Sequence, residues 1–263
     1  MAERTSYEPG TFNWIELRTT DGEGAKKFYS ELFSWSTIDN QAGPDMIYVT
    51  LLKNEKDVAG LYEMPDEMRS QGVPAHWGHY ISVESADETA DKARELGGAV
   101  VMEPFDVMEI GRSAMIQDPT GANVSLWVPK AFFGAELVNE PGALCWNELA
   151  TRDVESAKAF YTSLFGWGAE TQEVIGGQYT TFMNGERHAG GMLQMTEDWG
   201  DIPPHWMAYF AFEDCEAAVE KINDLGGVIH HGPADIPNVG RFAVATDPQG
   251  AAFTVIKLLA PEE

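Results

Sequence analysis

Bases and cysteines are scarce in this chain. Only 17 Lys and Arg stand against 42 Asp and Glu, for a formal net charge of −25. Nucleic acid and anionic membranes are bound through basic patches that displace counterions, so this balance excludes both as partners. The two cysteines, Cys145 and Cys215, are too few for a disulfide framework and read as reduced thiols. No apolar run approaches the roughly 20 residues of a bilayer-spanning helix. The opening Met-Ala-Glu-Arg-Thr-Ser-Tyr-Glu lacks the apolar segment of a secretory signal. The expectation is a cytoplasmic protein, with non-classical export left open. A phosphate-binding P-loop, a G-x-S-x-G elbow and a C-x-x-C pair are also missing, which argues against NTPases, α/β-hydrolases and thiol redox domains.

What is present is present twice. Residues 10–35 return as residues 142–167 with 14 of 26 positions identical. A second block, Pro74 to Pro129, returns at Pro203 to Leu258, with Pro74-Ala75-His76-Trp77 against Pro203-Pro204-His205-Trp206 and Asp118-Pro119-Thr120-Gly121 against Asp247-Pro248-Gln249-Gly250. The repeat sets two domains, 1–130 and 131–263, each long enough for a core of its own. Hydrophobic residues make up 44%, with 8 Trp and 13 Phe, so the chain is not disordered.

Each copy divides again into halves. The first half opens with an alternating strand, Phe12 to Arg18, then the N-cap candidate Asp21 and apolar residues at Ala25, Phe28, Tyr29, Leu32 and Phe33, at helical spacing. Strand-like runs follow at Ser36–Asp39, Met46–Leu52 and Asp57–Met64. The second half repeats this order from Tyr80, with a helix over Asp87–Leu96 closed by Gly97-Gly98. The spacing predicts βαβββ four times over. The stretch Pro129–Gly142 is too apolar for a loose tether, and Phe132-Phe133 should pack it down.

This order, with D-x-x-x-A-x-x-F-Y-x-x-L-F-x-W and D-P-x-G in both copies, resembles the vicinal oxygen chelate superfamily of glyoxalases, extradiol dioxygenases and bleomycin-resistance proteins. Trp-x-Glu-Leu, P-x-H-W and the stretch Ala234-Asp235-Ile236-Pro237 narrow it to the two-domain actinobacterial members called glyoxalase-like proteins or hydroxylases. The resemblance implies an α+β fold, tandem vicinal-oxygen-chelate domains whose four βαβββ modules form curled mixed sheets. It also implies a divalent metal held by His and Glu from four strands, open to two substrate oxygens.

The positions that would carry those ligands are Trp14 and Trp146 on the first strand and Ser125 and Thr254 on the last. They fall near Gly78 and Met207 on the fifth strand, and near Glu63 and Gln194 on the fourth. Three of the four are non-ligands in both copies. No cofactor and no metal are therefore expected; the alternative is one divalent ion such as Ni, Zn, Mn or Fe at unusual ligands.

Alternation puts Trp14, Glu16 and Arg18 on one face of the first strand, and Trp146, Glu148 and Ala150 on its twin. A carboxylate facing a cup must be paired, hydrated or in contact with a ligand. Glu16 and Glu148 are thus candidate catalytic bases, or else structural acids supporting the sheet. Candidate ligand-binding residues are Trp14, Glu63, Tyr80, Ser125 and Trp127, with His76 at the strand entrance; on the other copy they are Trp146, Tyr209 and Thr254, with His205. Such aromatics with few polar groups make an organic-ligand pocket more readily than a cation cage. The alternative, that the tryptophans simply fill the cup as core, weighs most on the plainer second copy.

Two functions follow. One is metal-independent binding of a small organic ligand, as in sequestration of an antibiotic or reactive metabolite. The other is a glyoxalase- or hydroxylase-like enzyme using an unusual metal site or a Glu base. The chain is expected as a monomer with its domains paired internally, or as a dimer. If sites form across that pairing, Trp14, Glu16 and Glu63 face His205, Tyr209 and Thr254.

Overall fold

The computed structural model describes residues 3–44, 46–174 and 177–259. The first domain runs β1 (Phe12–Thr19), α1 (Gly22–Phe33), β2 (Ser36–Gly43), β3 (Met46–Lys53), β4 (Lys56–Glu63), a short α2 (Asp66–Ser70), β5 (His76–Ser82), α3 (Ala86–Glu95), β6 (Ala99–Val107), β7 (Gly111–Gln117) and β8 (Asn123–Pro129). The second repeats it as β9 (Leu144–Thr151), α4 (Val154–Phe165), β10 (Gly168–Val174), β11 (Gly177–Asn184), β12 (Arg187–Gln194), β13 (His205–Ala211), α5 (Cys215–Asp224), β14 (Val228–Ile236), β15 (Gly240–Thr246) and β16 (Ala252–Leu258). The α+β expectation and the four βαβββ modules hold. One boundary moves: β5 begins at His76, not Tyr80, because His76 pairs with Arg18 across the antiparallel ladder.

Helix starts follow from their caps. Asp21 and Asp153 accept from the backbone amides of Gly24 and Ser156, relieving one of the orphan donors of a first turn. The buried stripe of α1 is Ala25, Phe28, Tyr29, Leu32 and Phe33, the spacing read from the sequence.

Each domain forms one eight-stranded sheet. The first has order β2-β3-β4-β1-β5-β8-β7-β6, and the second follows the same plan. The antiparallel pair β1–β5 joins the two modules of a single domain, with Trp14 opposite Tyr80 and Glu16 opposite Gly78. β8 then runs parallel to β5, setting Ser125 beside Tyr80. In the second domain Trp146 meets Tyr209, which meets Thr254. Each cup is therefore built within one domain, and the grouping of Glu16 with Tyr209 across domains does not occur.

The helices lie on the other face of the sheets, where the domains meet. Phe28, Tyr29, Leu32 and Phe33 of α1 share a core with Phe210 and Phe253 of the second domain and with Ala218 and Ile222 of α5. Ala86, Ala90 and Ala93 of α3 share another with Phe160, Tyr161 and Leu164 of α4. Both cores draw on both domains. His79 sits in this interface, packed on Phe12 and Trp206, with Nδ1 2.7 Å from the Asn147 Oδ1. Burial pushes its pKa down to about 4. Cys145 and Cys215 are free thiols. Among the described residues no helix is long and apolar enough to cross a membrane.

Candidate functional site

The two cups share a frame and differ in what fills it. On the concave face of the first, Tyr80 donates from its hydroxyl to Glu16 Oε1 at 2.9 Å, and Arg18 Nε approaches the same oxygen at 3.4 Å. Trp14 Nε1 donates to the Tyr48 hydroxyl at 2.9 Å. The interdomain linker closes this cup. Phe132 packs edge-on against Trp14 with ring centres 4.8 Å apart, and its carbonyl accepts from Trp127 Nε1 at 2.9 Å. The next turn of linker is pinned to β1 through Ala135 N–H donating to the Asn13 carbonyl at 2.8 Å. Trp14 is left 4% exposed, and Trp127, Ser125 and Glu16 are buried with it.

The second cup is open. It forms a bowl of about 3250 Å³, larger than the roughly 300–1,000 Å³ usual for drug-sized ligands. Trp146, the twin of Trp14, is half-buried: its edge-on ring neighbour is His188 at 6.0 Å, where Trp14 has the linker's Phe132 at 4.8 Å. Trp146, Tyr179, Trp199 and Phe242 wall the bowl, and Met207, Tyr209 and Glu148 lie at its floor. The N-terminal segment from Glu3 to Pro9 lines one side of the mouth. It is held there by Arg4 N–H on the Glu136 carbonyl and Asn184 Nδ2 on the Pro9 carbonyl, both at 2.8 Å. The sequence had weighed a filled cup mainly on this copy; the structure fills the other. What decides it is the linker.

At the floor, Tyr209 donates to Glu148 Oε1 at 2.5 Å and Tyr179 to Oε2 at 2.9 Å, while Trp146 Nε1 donates to the Tyr179 hydroxyl at 2.9 Å. Position 150 is Ala where the first cup has Arg18, so among the described residues no cation pairs with Glu148. Burial raises its pKa, and the two tyrosine bonds only partly offset this. Tyr48 and Tyr179 were missed in the sequence, although they occupy matching positions of the repeat on β3 and β11. That correspondence was the available signal.

Other candidates sort differently. Glu63 leaves the cup. It pairs with Thr19, one residue out of phase with Arg18, so it projects to the opposite face. There its carboxylate accepts from the Gly22 amide at 3.1 Å and from Arg69 at 2.8 Å, at the start of α1. His76 and His205 hold strand entrances: each Nδ1 lies within 2.8 or 2.9 Å of the carbonyl two residues before it, which can only accept. Burial lowers both pKa values. Thr254 is fully buried, its hydroxyl on Met207 Sδ at 3.0 Å. Arg112 and Arg241 form surface ion pairs with Asp87 and Glu216.

The chelate that the family resemblance implies does not fit these residues. On the fourth strand Tyr62 and Leu193 face the cups level with Arg18 and Ala150, and Gly60 and Gly191 face them level with Glu16 and Glu148. A Cβ at either glycine would collide with the hydroxyl of Tyr48 or Tyr179 and crowd the indole nitrogen of Trp14 or Trp146. The space of a fourth-strand ligand is thus taken by a phenol, beside an indole that has no lone pair to give a metal. No group of three or more His, Cys, Asp or Glu side chains suited to a metal occurs among the described residues.

A superfamily sequence profile matches residues 11–126 and again 143–255, once for each cup. The chain belongs to the Glyoxalase/Bleomycin resistance protein/Dioxygenase superfamily. Within that superfamily it is 42% identical over 259 residues to the protein named "Putative glyoxylase CFP32" of Mycobacterium tuberculosis, covering 98% of both chains. It is 32% identical over 265 residues to the anthracycline biosynthesis protein DnrV of Streptomyces peucetius, covering 97% of this chain and 95% of that one. Solved relatives share the fold at lower identity. The 2,3-dioxygenase LapB from Pseudomonas sp. KL28 superposes with a TM-score of 0.66 at 13% identity, over 98% of this chain and 96% of its own. The Mn(II)-bound glyoxalase from Novosphingobium aromaticivorans gives the same score and identity over 99% and 84%.

The Glu148 cluster carries a stability prediction. A carboxyl whose folded pKa is raised contributes most below its ordinary value of 4.5, and that contribution is lost as pH rises. Glu148→Gln removes this cost, although its single amide oxygen can accept from only one of the two tyrosines. Relative to the parent, the variant should gain stability as pH rises from 4.5 to 8. Urea unfolding at the two pH values checks it; a variant that loses ground as pH rises contradicts the assignment.

Proposed function

We propose that the second cup binds an aromatic organic ligand without a metal chelate, and that this superfamily member works by capture of such a molecule. The observation that carries the reading is the open bowl whose walls are Trp146, Tyr179, Trp199 and Phe242 over a buried carboxyl. Flat aromatic walls stack on flat ligands and contribute about 0.5–1.5 kcal/mol per ring pair beyond area burial. The bowl is large enough to admit a polycyclic molecule, and the relationship to an anthracycline biosynthesis protein supports an aromatic polyketide or an antibiotic built on one.

A titration of intrinsic tryptophan fluorescence with polycyclic quinones tests this. Quenching should saturate at one ligand per chain and survive dialysis against a metal chelator. Trp146→Ala should weaken binding about tenfold, and Trp14→Phe should leave it unchanged because Phe132 seals that ring. Binding that disappears with the chelator, or that follows Trp14, overturns the reading.

A second reading, proton transfer by Glu148 during turnover of the ligand, is favoured by its raised pKa in an open cavity. Exchange of a ligand carbon-bound hydrogen with deuterated solvent, lost in Glu148→Gln, distinguishes it from simple capture.

A further inference from the structure

The duplication supplies an internal comparison for the chemistry at the floor of the bowl. In the first cup the floor acid Glu16 is met by a cation of the chain itself: Arg18, 6% exposed, lies with Nε 3.4 Å from Glu16 Oε1. In the second cup the same acid, Glu148, is 5% exposed and has no such partner among the described residues. Ala150 replaces the arginine, and Met207 stands where the first cup has Gly78 beside the guanidinium.

The hydrogen-bond directions narrow what can join it. Both tyrosine protons point at the carboxylate, and the indole proton of Trp146 points at Tyr179. No member of this cluster has a proton left to give. The floor therefore offers only oxygen lone pairs, under negative charge, to whatever enters. Carboxylate, phosphate and sulfonate groups would meet acceptors alone. A donor bearing positive charge would satisfy the floor and the charge together, with a short charge-assisted bond. The walls agree, since the faces of Trp146, Trp199 and Phe242 attract cations through their quadrupoles. So does the rim. Glu8, Glu173, Glu186 and Asp198 line the bowl against the arginines Arg4 and Arg187, beside Glu3 and Asp235 whose charges Lys56 and Arg241 meet, so the field over the mouth draws cations in.

We infer that the ligand of the second cup is a cationic aromatic amine, whose protonated nitrogen sits on Glu148 as the guanidinium of Arg18 sits on Glu16 in the first cup. The inference rests on the reading that this cup binds an aromatic ligand, and it adds the charge and the anchor. The first cup holds the matching cation within the fold, sealed under Phe132; the second leaves it to the ligand.

Three tricyclic probes of one size test it by isothermal titration at pH 8: 9-aminoacridine, which is cationic; acridone, which is neutral but keeps an N–H; and acridine-9-carboxylate, which is anionic. The full chain should bind one 9-aminoacridine at least about tenfold more tightly than acridone, and the carboxylate more weakly still. In Glu148→Gln the preference for the cation should fall to about twofold or less. Glu170→Gln, an exposed acid outside the bowl, makes the same change in net charge and should keep the preference. Equal binding of 9-aminoacridine and acridone overturns the cation while leaving the aromatic cup standing. A preference that survives Glu148→Gln overturns the anchor. If none of the three binds, the aromatic-ligand reading fails and this inference falls with it. The comparison of probes on the unaltered chain needs no variant to fold.

Discussion

Arg18→Met should cost the protein about 3 kcal/mol, and Glu16→Gln added to it should recover most of that loss. The expected size follows from burial on both sides: the side chains of Arg18 and Glu16 are 7% and 9% exposed, beneath Trp14 and the linker. Breaking such a pair leaves an uncompensated charge, typically at about 3–5 kcal/mol, whereas replacing both members by neutral groups is often close to neutral. Tyr80 still donates to Glu16 in the variant, which places the estimate at the lower end. For a chain of this size the shift in Tm is about 2–4 °C for each kcal/mol. The second cup shows how a lone floor acid is tolerated: Glu148 accepts from two tyrosines, Tyr179 and Tyr209, at the foot of an open bowl. Phe132→Ala should therefore lessen the cost of Arg18→Met by admitting water to Glu16. A double-mutant cycle by urea unfolding measures this coupling. Additive effects, or an Arg18→Met variant within about 0.5 kcal/mol of the parent, sink the account.

The fold was legible because the repeat, the helix caps and the D-P-x-G turns are local signals, and they occur in both copies. The floor of each cup was half legible. Alternation placed Trp-x-Glu on the concave face, and the ladders confirm that placement for Trp14, Glu16, Trp146 and Glu148. Glu63 was misplaced because counting residues locates a strand position only to within one, and a slip of one residue turns a side chain to the other face. One place before Glu63, Tyr62 is the inward residue level with Arg18, and Gly60, level with Glu16, carries no side chain to draw notice. Which cup is open was not legible at all. Phe132 closes the first through a contact between linker and sheet that no periodicity encodes, and the linker's apolar character said only that it packs somewhere. The pairing of β1 with β5 inside one domain, rather than across domains, is likewise a long-range choice that both topologies' local patterns would satisfy.

The conserved-looking spacing of the two repeats has a second consequence, at the interface on the other face of the sheets. Asp247→Ala should destabilise the whole chain by about 4 kcal/mol. Asp247 is 2% exposed, and its carboxylate accepts from the amides of Gln249 and Ala251, each at 2.9 Å, and from the Tyr29 hydroxyl of the first domain at 3.0 Å. Trp77 Nε1 donates into that same hydroxyl at 3.1 Å, so the tyrosine has no other route for its proton. Truncation orphans three donors, at about 1–3 kcal/mol for each that stays buried and dry. Tyr29→Phe removes the interdomain bond and also leaves Trp77 Nε1 without its acceptor, and should cost about 1–3 kcal/mol. Asp247→Asn keeps an acceptor for the amides and should cost less than the alanine. Its deficit should also shrink as pH rises: burial raises the Asp247 pKa above 3.8, so the parent's carboxyl contributes most below that value and less at neutral pH. Because each hydrophobic core draws on both domains, the loss should appear as one shifted transition rather than as early melting of one half. Calorimetry decides it, since two separated transitions in Asp247→Ala would mean that the domains fold independently and that Asp247 serves only its own turn.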